Sequence, residues 1–227
     1  MPIERLKKAN QHAVIMAGRL MMAAATTAPQ HGGSGVMEGC LVYGEDELER
    51  IASKLEELSL VKKQWNESFR LEANMVRESQ AVLFLGCFRS YDPFGTACGR
   101  CLGNQGEPKG GTKCVKFRDT PKLTDGPFLG PVCTYRISDL GYCVGSALWI
   151  AGRLFIDTKP KFPVGLAGMK LGYLPRSKFI VGLPLSITSK SPFDDVLADP
   201  RFTQQYLMDR LERIWPIFRS VYGTLGG

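Results

Sequence analysis

The chain has 227 residues, 44% of them hydrophobic, which is enough to bury the core of a sizeable domain without disulfides. Its formal net charge of +7 is spread along the sequence and comes with no compact basic run or RNP-like strand, so it does not indicate nucleic-acid binding. No charged and apolar leader opens the chain, and the longest apolar stretch, residues 13–25, is shorter than the roughly 20 residues of a membrane span. We therefore expect no membrane segment and a cytoplasmic location with reduced thiols.

The first half of the chain predicts helices alternating with strands. A helix over residues 3–25 is apolar nearly all round in its second half, as in a helix buried at the centre of a domain. A short strand is predicted at 39–43, and an amphipathic helix at 46–60, where leucine and isoleucine recur at three- and four-residue spacing. Another helix at 67–78 precedes the continuously apolar segment 81–85, which is typical of a strand buried on both faces.

The second half of the chain begins with an irregular segment. Residues 88–133 hold eight glycines and five prolines in 46 residues and show no sustained periodicity, which predicts a functional insertion. A helix follows over residues 137–155, with Ser138 or Asp139 as its expected cap, and then a buried strand at 179–183.

The end of the chain predicts one more helix. Asp199 and Pro200 form a cap and first-turn pair, and an apolar seam follows that is interrupted at Pro216, where we expect a kink or a restart. Together these elements predict a fold of mixed helices and strands. Residues 1–227 would form a single domain, with the cysteine-rich segment 88–133 as an insertion within it.

Four cysteines in the insertion predict a metal centre. Cys98 and Cys101 are separated by two residues, a spacing that lets both sulfurs reach one metal, and the glycine between them lets the backbone turn its N–H groups toward the sulfurs. Cys114 and Cys133 complete a set of four thiolates. Residues 88–123 carry seven Lys or Arg against three Asp or Glu, and these cations would offset the negative charge of an all-thiolate site.

The spacing of these cysteines leaves the nature of the site open. Four thiolates hold either an iron–sulfur cluster or a tetrahedral zinc ion that serves as a structural clip. A redox dithiol of Cys98 and Cys101 is a further alternative, although such motifs normally lie at a strand-to-helix turn rather than in a long loop. Four unrelated small core residues would more naturally lie on helices or strands.

The remaining cysteines and the two histidines are interpreted as ordinary residues. Cys40, Cys87 and Cys143 lie on or beside predicted strands or helices, where free cysteine is commonly buried. His12 and His31 are interpreted as surface side chains, although an imidazole would suit proton transfer. No Ser/His/Asp spacing, P-loop or zinc-protease helix supports hydrolase chemistry.

Six short motifs are spread over most of the chain. They are Ala25-Thr-Thr-Ala-Pro29, Cys98-Gly-Arg-Cys101, Gly130-Pro-Val-Cys133, Asp139-Leu-Gly141, Gly145-Ser-Ala147 and Gly182-Leu-Pro-Leu-Ser186. In these motifs the chain resembles a family of prokaryotic proteins described as containing a ferredoxin domain. The resemblance implies a [4Fe–4S] cluster with four ligands, namely Cys98, Cys101, Cys114 and Cys133. The gap between the second and third of these cysteines is wider here than in the family's pattern.

More distantly, the order of elements resembles the nitroreductase-type flavoprotein fold. That resemblance implies an α+β homodimer with a mixed sheet flanked by helices and with FMN at the subunit interface. The residues it would place near a flavin are Gln30, His31, Gly32, Gly33 and Ser34. The arginine-rich segment that holds the FMN phosphate in those enzymes has no counterpart near the start of this chain. Arg19 and Lys190 are possible substitutes, and the alternative for each is an ordinary solvent-exposed cation.

Three functional hypotheses follow from the sequence. The first is an iron–sulfur electron carrier or oxidoreductase, with or without a flavin, that acts on a redox partner protein or a small molecule. The second is a non-enzymatic interaction module whose four-cysteine site binds zinc. The third is a scaffold that transfers its iron–sulfur cluster to another protein.

Overall fold

The computed structural model describes residues 5–33, 35, 37–88 and 132–194 of the chain. Contacts divide the chain into two compact units, Met1–Ser189 and Lys190–Gly227, and every described helix and strand belongs to the first. The predicted C-terminal helix and most of the predicted insertion lie outside the described residues.

The described elements follow the predicted order. They are α1 (Leu6–Thr27), β1 (Met37–Tyr43), α2 (Glu45–Ser59), α3 (Asn66–Arg77), β2 (Ala81–Phe88), α4 (Thr134–Arg153), β3 (Asp157–Thr158), α5 (Phe162–Lys170) and β4 (Ser177–Ser186), with 3₁₀ turns at His31–Gly33 and Lys63–Trp65. Among these, β3 and α5 were not predicted from the sequence. None of the described helices is long and apolar enough to cross a membrane.

The four described strands form one sheet in the order β1-β2-β4-β3. Each pairing in it is antiparallel: β1 with β2, β2 with β4, and β3 with β4. The α+β class is therefore confirmed, while the pairings within the described residues are antiparallel rather than mixed.

Strand β2 lies at the centre of two apolar cores. Its odd-numbered residues, Leu83 and Leu85 among them, pack with α1 and α4 on one face of the sheet. Its even-numbered residues, Val82 and Phe84, pack with α2, α3 and α5 on the other face. Side chains alternate between the faces of a sheet, so a strand covered on both sides must be apolar at every position. This explains the continuous apolar run in its sequence.

Helix α5 lies unusually close to β4. A Cβ atom at Gly165 would lie 2.0 Å from the backbone oxygen of Ile180, a distance that no side chain can occupy. We therefore expect Gly165→Ala to lower the free energy of unfolding by about 3 kcal/mol, since the helix must move away from the sheet. Urea unfolding of the purified chain measures this change.

The matched control for this substitution is Gly152→Ala on α4. No heavy atom lies within 4 Å of a Cβ built at Gly152, and the residue is exposed. Alanine there should be neutral or should stabilise by up to about 1 kcal/mol, because it favours the helix. Equal stabilities of the two variants would contradict the close approach of α5 to β4.

Candidate functional site

The candidate site begins where α4 begins. Cys133 is the N-cap residue of α4, and its carbonyl oxygen accepts hydrogen bonds from the backbone N–H groups of Arg136 at 2.9 Å and Ile137 at 3.1 Å. The first N–H groups of an α-helix have no acceptor within the helix and form its positive end. The half-buried Cys133 therefore lies at the positive end of the α4 dipole.

Helix α4 starts four to five residues before the predicted cap. The Ser138 hydroxyl donates to the carbonyl oxygen of Thr134, one turn back, so it supports the helix interior instead of capping it. Asp139 is fully buried and directs its carboxylate to the His31–Gly33 turn. Neither residue is a cap, and that prediction is wrong because both side chains have other partners.

A buried ion pair lies within the first turns of α4. The guanidinium of Arg136, 2% exposed, donates to Asp139 Oδ2 at 2.8 Å, and the Asp139 side chain is 0% exposed. Arg136 also donates to the carbonyl oxygen of His31 at 2.9 Å. The two buried charges therefore neutralise each other and fasten α4 to the turn that follows α1.

His31 is held at three atoms. Its backbone N–H donates to Asp139 Oδ1 at 2.9 Å, its ring Nδ1 lies 2.6 Å from the same oxygen, and its carbonyl accepts from Arg136. Gly32 follows with φ of 79°, a left-handed conformation that glycine adopts without strain and that lets the turn close. His31 is thus an anchored part of the site, not the loose surface side chain expected from the sequence.

Two aromatic rings of α4 lie beside this imidazole. The ring of Tyr135 lies 4.5 Å from that of His31 at an interplanar angle of 50°, and the ring of Tyr142 lies 6.3 Å away and is roughly stacked. The His31 side chain keeps 29% of its area exposed. The imidazole therefore contacts a buried carboxylate and is itself partly exposed.

An open cavity of about 660 Å³ lies between the end of α1 and α4. Tyr142 and Trp149 stand at its side, 50% and 60% exposed, and Gly141 and Gly145 leave open space where Cβ atoms would be. Residues of three sequence motifs line it, namely Ala28, Pro29, Gly141, Gly145 and Ser146. Tyr142 lines the cavity, and its ring lies 6.3 Å from that of His31, so the cavity lies near the His31–Gly33 turn.

The predicted metal ligands are described only in part. Cys133 lies at the start of α4, whereas Cys98, Cys101 and Cys114 lie outside the described residues. Within the part of the chain that is described, no group of three or more His, Cys, Asp or Glu side chains is arranged to hold a metal ion. The predicted four-cysteine centre therefore remains a prediction.

The other cysteines are structural, as predicted. Cys87 and Cys143 are fully buried in the core formed with α1 and α4, and burial raises the pKa of Cys87 to about 12 and that of Cys143 to about 11. Cys40 is half-buried against the core on the other face of the sheet, and burial raises its pKa to about 11. These thiols stay protonated at neutral pH and are poor nucleophiles.

The residues expected near a flavin lie in the turn before β1. Gln30 and His31–Gly33 lie beside α4, while Ser34 lies outside the described residues. Arg19, considered for the FMN phosphate, is exposed on α1, and Lys190 is exposed in the second compact unit. The sequence offered no signal for the link between His31 and Asp139, which are 108 residues apart.

Solved structures with a similar fold are nitroreductase-like proteins. A putative NADH dehydrogenase/NAD(P)H nitroreductase of Bacteroides thetaiotaomicron is 10% identical, with a TM-score of 0.46 and coverage of 90% of this chain and 84% of that one. A BluB-like flavoprotein of Clostridium difficile is 13% identical, with a TM-score of 0.48 and coverage of 85% and 87%. Nitroreductase A of Vibrio parahaemolyticus is 10% identical, with a TM-score of 0.46 and coverage of 100% and 79%.

The family is shown by sequence. Residues 129–195 match the model of a family described as "uncharacterized protein containing a ferredoxin domain". An uncharacterized protein of Archaeoglobus fulgidus is 34% identical over 182 residues, which cover 80% of this chain and 91% of that protein. The chain belongs to this ferredoxin-domain family. The matched segment includes the whole of α4, so Cys133, Arg136 and Asp139 lie within it.

Proposed function

We propose that this chain is an iron–sulfur redox protein, with a [4Fe–4S] cluster held by Cys98, Cys101, Cys114 and Cys133. The observation that carries the proposal is the position of Cys133 at the N-terminus of α4, within the segment that matches the ferredoxin-domain family. When bound, such a cluster accepts and donates single electrons.

The start of α4 suits a ligand of a negatively charged cluster. The dipole of α4 would stabilise the more negative, reduced state of a cluster at this position and so would raise its reduction potential. Arg136 adds little net charge, because Asp139 neutralises it at 2.8 Å. The start of α4 would therefore contribute favourably to a cluster held by Cys133, independently of the charge of Arg136.

The cavity beside α4 favours an oxidoreductase over a simple electron carrier. A carrier needs a surface for its partner, whereas a cavity of about 660 Å³ has the size of a small-molecule site. The turn of Gln30 and His31 beside α4 is where a flavin would assist the reaction.

Exposed apolar side chains on α1 and α4, namely Met16, Leu20 and Trp149, support a homodimer through this face. We place the protein in the cytoplasm, where reduced thiols are available for a cluster.

Purification without oxygen, followed by an absorption spectrum and assays of iron, sulfide, zinc and flavin on one sample, tests this function. We expect a broad band near 400 nm with about four irons and four sulfides per chain. A colourless protein with one zinc would instead support the interaction module with a structural zinc site. Bound flavin in the same sample would identify a flavin-assisted enzyme.

The Cys133→Ser variant tests the ligand itself. We expect it to lose most of the bound iron and the 400 nm band, because a serine hydroxyl is a poor ligand for iron–sulfur clusters. Cys40→Ser is the matched control, since Cys40 lies on β1 and packs against the core on the opposite face of the sheet from α4. Iron content that is unchanged in Cys133→Ser would remove Cys133 from the ligand set.

A further inference from the structure

The exposed surface of α4 carries no charge from residue 134 to residue 152. The charged side chains in this range are Arg136 and Asp139, and both are buried and paired with each other. The outward side chains are instead apolar, aromatic or small, and two of them are large rings: Tyr142 is 50% exposed and Trp149 60%. This is not the composition of a surface that faces only water, since such surfaces are rich in Lys, Arg, Glu and Asp.

One row of α4 alternates aromatic rings with glycines. Tyr142, Gly145, Trp149 and Gly152 follow one another at spacings of three, four and three residues, which is the spacing of the seam along which two helices pack. All four residues are exposed, and a Cβ built at either glycine meets no described atom within 4 Å. Glycine inside an exposed helix is less favourable than alanine, so the described part of the chain gives no reason for these two glycines.

The order of rings and glycines makes this row complementary to itself. When two identical helices pack antiparallel about a two-fold axis at the level of Ala147, residue 149 of one lies level with residue 145 of the other, and residue 142 with residue 152. Each ring is then level with a glycine of the other helix, and large side chains that face small ones interdigitate closely. A parallel pairing would place ring against ring.

Helix α1 extends the row into a face of the size that a dimer needs. Met16 and Leu20 are about half exposed and lie one turn apart, just before the part of α1 that lines the cavity beside α4. Together with Tyr142 and Trp149 they expose roughly 400 Å², taking about 200 Å² for each such side chain when fully exposed. A patch of this size on a monomer is often functional. Small exposed residues between them extend the face toward the roughly 800 Å² that each subunit of a stable dimer buries, among them Ala23, Thr27, Pro29 and Gly152.

We propose that this face joins two copies of the chain, with their α4 helices antiparallel and with Trp149 of each packed on Gly145 of the other. The inference deepens the homodimer of the proposed function and rests on that part of it. Since Gly145 and Trp149 line the open cavity beside α4, the second α4 also covers the mouth of that cavity.

Charge favours a second copy over other occupants of this face. Nucleic acids, anionic membranes and charged proteins are recognised through ion pairs, and the exposed side chains of α4 up to Gly152 offer none. Two copies of a chain with a net charge of +7 repel each other where charged surfaces meet, so they approach most easily through an uncharged face. The exposed Arg19 and Arg153 border the face, as polar residues border the core of an interface.

Sedimentation velocity of the full-length protein, purified without oxygen and measured over a range of concentrations, gives the dissociation constant of the dimer. Gly145→Leu is the informative variant, because a leucine there meets open space in its own chain but collides with Trp149 of the partner subunit. We expect this variant to dissociate at least about 100-fold more readily than the wild type, since the overpacked contact occurs twice in each dimer. Leucine also favours the helix, so the subunit itself should stay folded.

The double variant Gly145→Leu/Trp149→Ala tests the pairing itself. It exchanges the large and the small member of the central contact, so we expect it to recover a dissociation constant within about tenfold of the wild type. Leu60→Ala, which removes an apolar side chain 77% exposed after α2, is the control and should leave the constant unchanged. Gly152→Ala should also remain dimeric, because the outer contact with Tyr142 lies farther from the crossing point of the helices.

The outcomes separate this inference from the function on which it rests. A wild-type protein that stays monomeric overturns both the α4 contact and the proposed homodimer, while the iron and sulfide assays decide independently on the redox function. A dimer that Gly145→Leu leaves intact shows that the subunits meet through another face, so the homodimer stands and the α4 contact is wrong. If Gly145→Leu breaks the dimer and the double variant does not restore it, the antiparallel pairing is wrong.

Discussion

Replacing Asp139 by alanine is expected to lower the free energy of unfolding by about 3–5 kcal/mol, since removing one partner of a buried ion pair leaves the other charge uncompensated. Arg136 is 2% exposed and cannot turn its guanidinium to solvent without opening the start of α4. The same change removes the acceptor for the His31 backbone N–H and ring. Urea unfolding followed by circular dichroism gives the difference in stability.

An exposed ion pair in the same chain is the matched control. Arg77 on α3 makes two hydrogen bonds to Glu49 on α2, each at 2.8 Å, and these bonds lower the pKa of Glu49 to about 2. The Glu49 side chain is nevertheless 52% exposed, so water replaces the lost partner in Glu49→Ala. We expect that variant to lose less than about 1 kcal/mol.

The double variant Arg136→Leu/Asp139→Leu should recover much of the stability lost in Asp139→Ala, because an apolar pair leaves no buried charge. Strictly additive losses, or an Asp139→Ala variant no less stable than Glu49→Ala, would show that burial does not govern this pair.

The elements that were predicted correctly are those whose buried positions follow a regular apolar pattern along the sequence. The apolar run of β2 reflects a strand covered on both faces, and the spaced leucines of α2 reflect its packing on α3 and the sheet. Helix α5 was missed because its two glycines resemble a loop. Gly165 meets the backbone of β4, and a Cβ at Gly168 would lie 2.4 Å from the ring of Phe84. Both glycines serve a tertiary contact that no local pattern reveals.

Sequence reasoning singled out Cys133 because cysteine spacing along the chain is a local signal, and its role as a ligand stays a prediction. The contact between His31 and Asp139 could not be predicted, since the two residues are 108 positions apart and a histidine in a glycine-rich turn looks like a surface residue. The start of α4 was misplaced for the same reason, because Asp139 binds that histidine instead of capping the helix.

Glu72 is expected to make the stability of the protein fall as pH rises. It lies on α3, is 9% exposed, and has a carboxylate oxygen, Oε2, without a hydrogen-bond partner among the described residues. Burial raises the pKa of Glu72 from 4.5 to about 7, although Lys161 at 3.9 Å and the backbone N–H of Val164 oppose this shift. The native state thus keeps a proton on Glu72 at pH values where the unfolded chain has lost it.

The sign of the effect follows from proton binding. Between pH 4.5 and about 7 the native state binds more protons than the unfolded state, so the free energy of unfolding decreases with rising pH. Above this range the ionised carboxylate costs the native state as much as about 3 kcal/mol. Glu72→Gln should remove the slope: it should match the wild type near pH 5 and be more stable at pH 8.

Urea unfolding of wild type and Glu72→Gln at several pH values between 5 and 8 measures this difference. Glu67→Gln, an exposed carboxyl in the first turn of the same helix, controls for the loss of one negative charge and should keep the wild-type slope. A Glu72→Gln variant that is less stable than the wild type at pH 8 would mean that Lys161 and the start of α5 compensate fully for the burial of the charge. The pair would then be a net stabilising contact between α3 and α5, and Lys161→Met should destabilise the protein at pH 8 more than at pH 5.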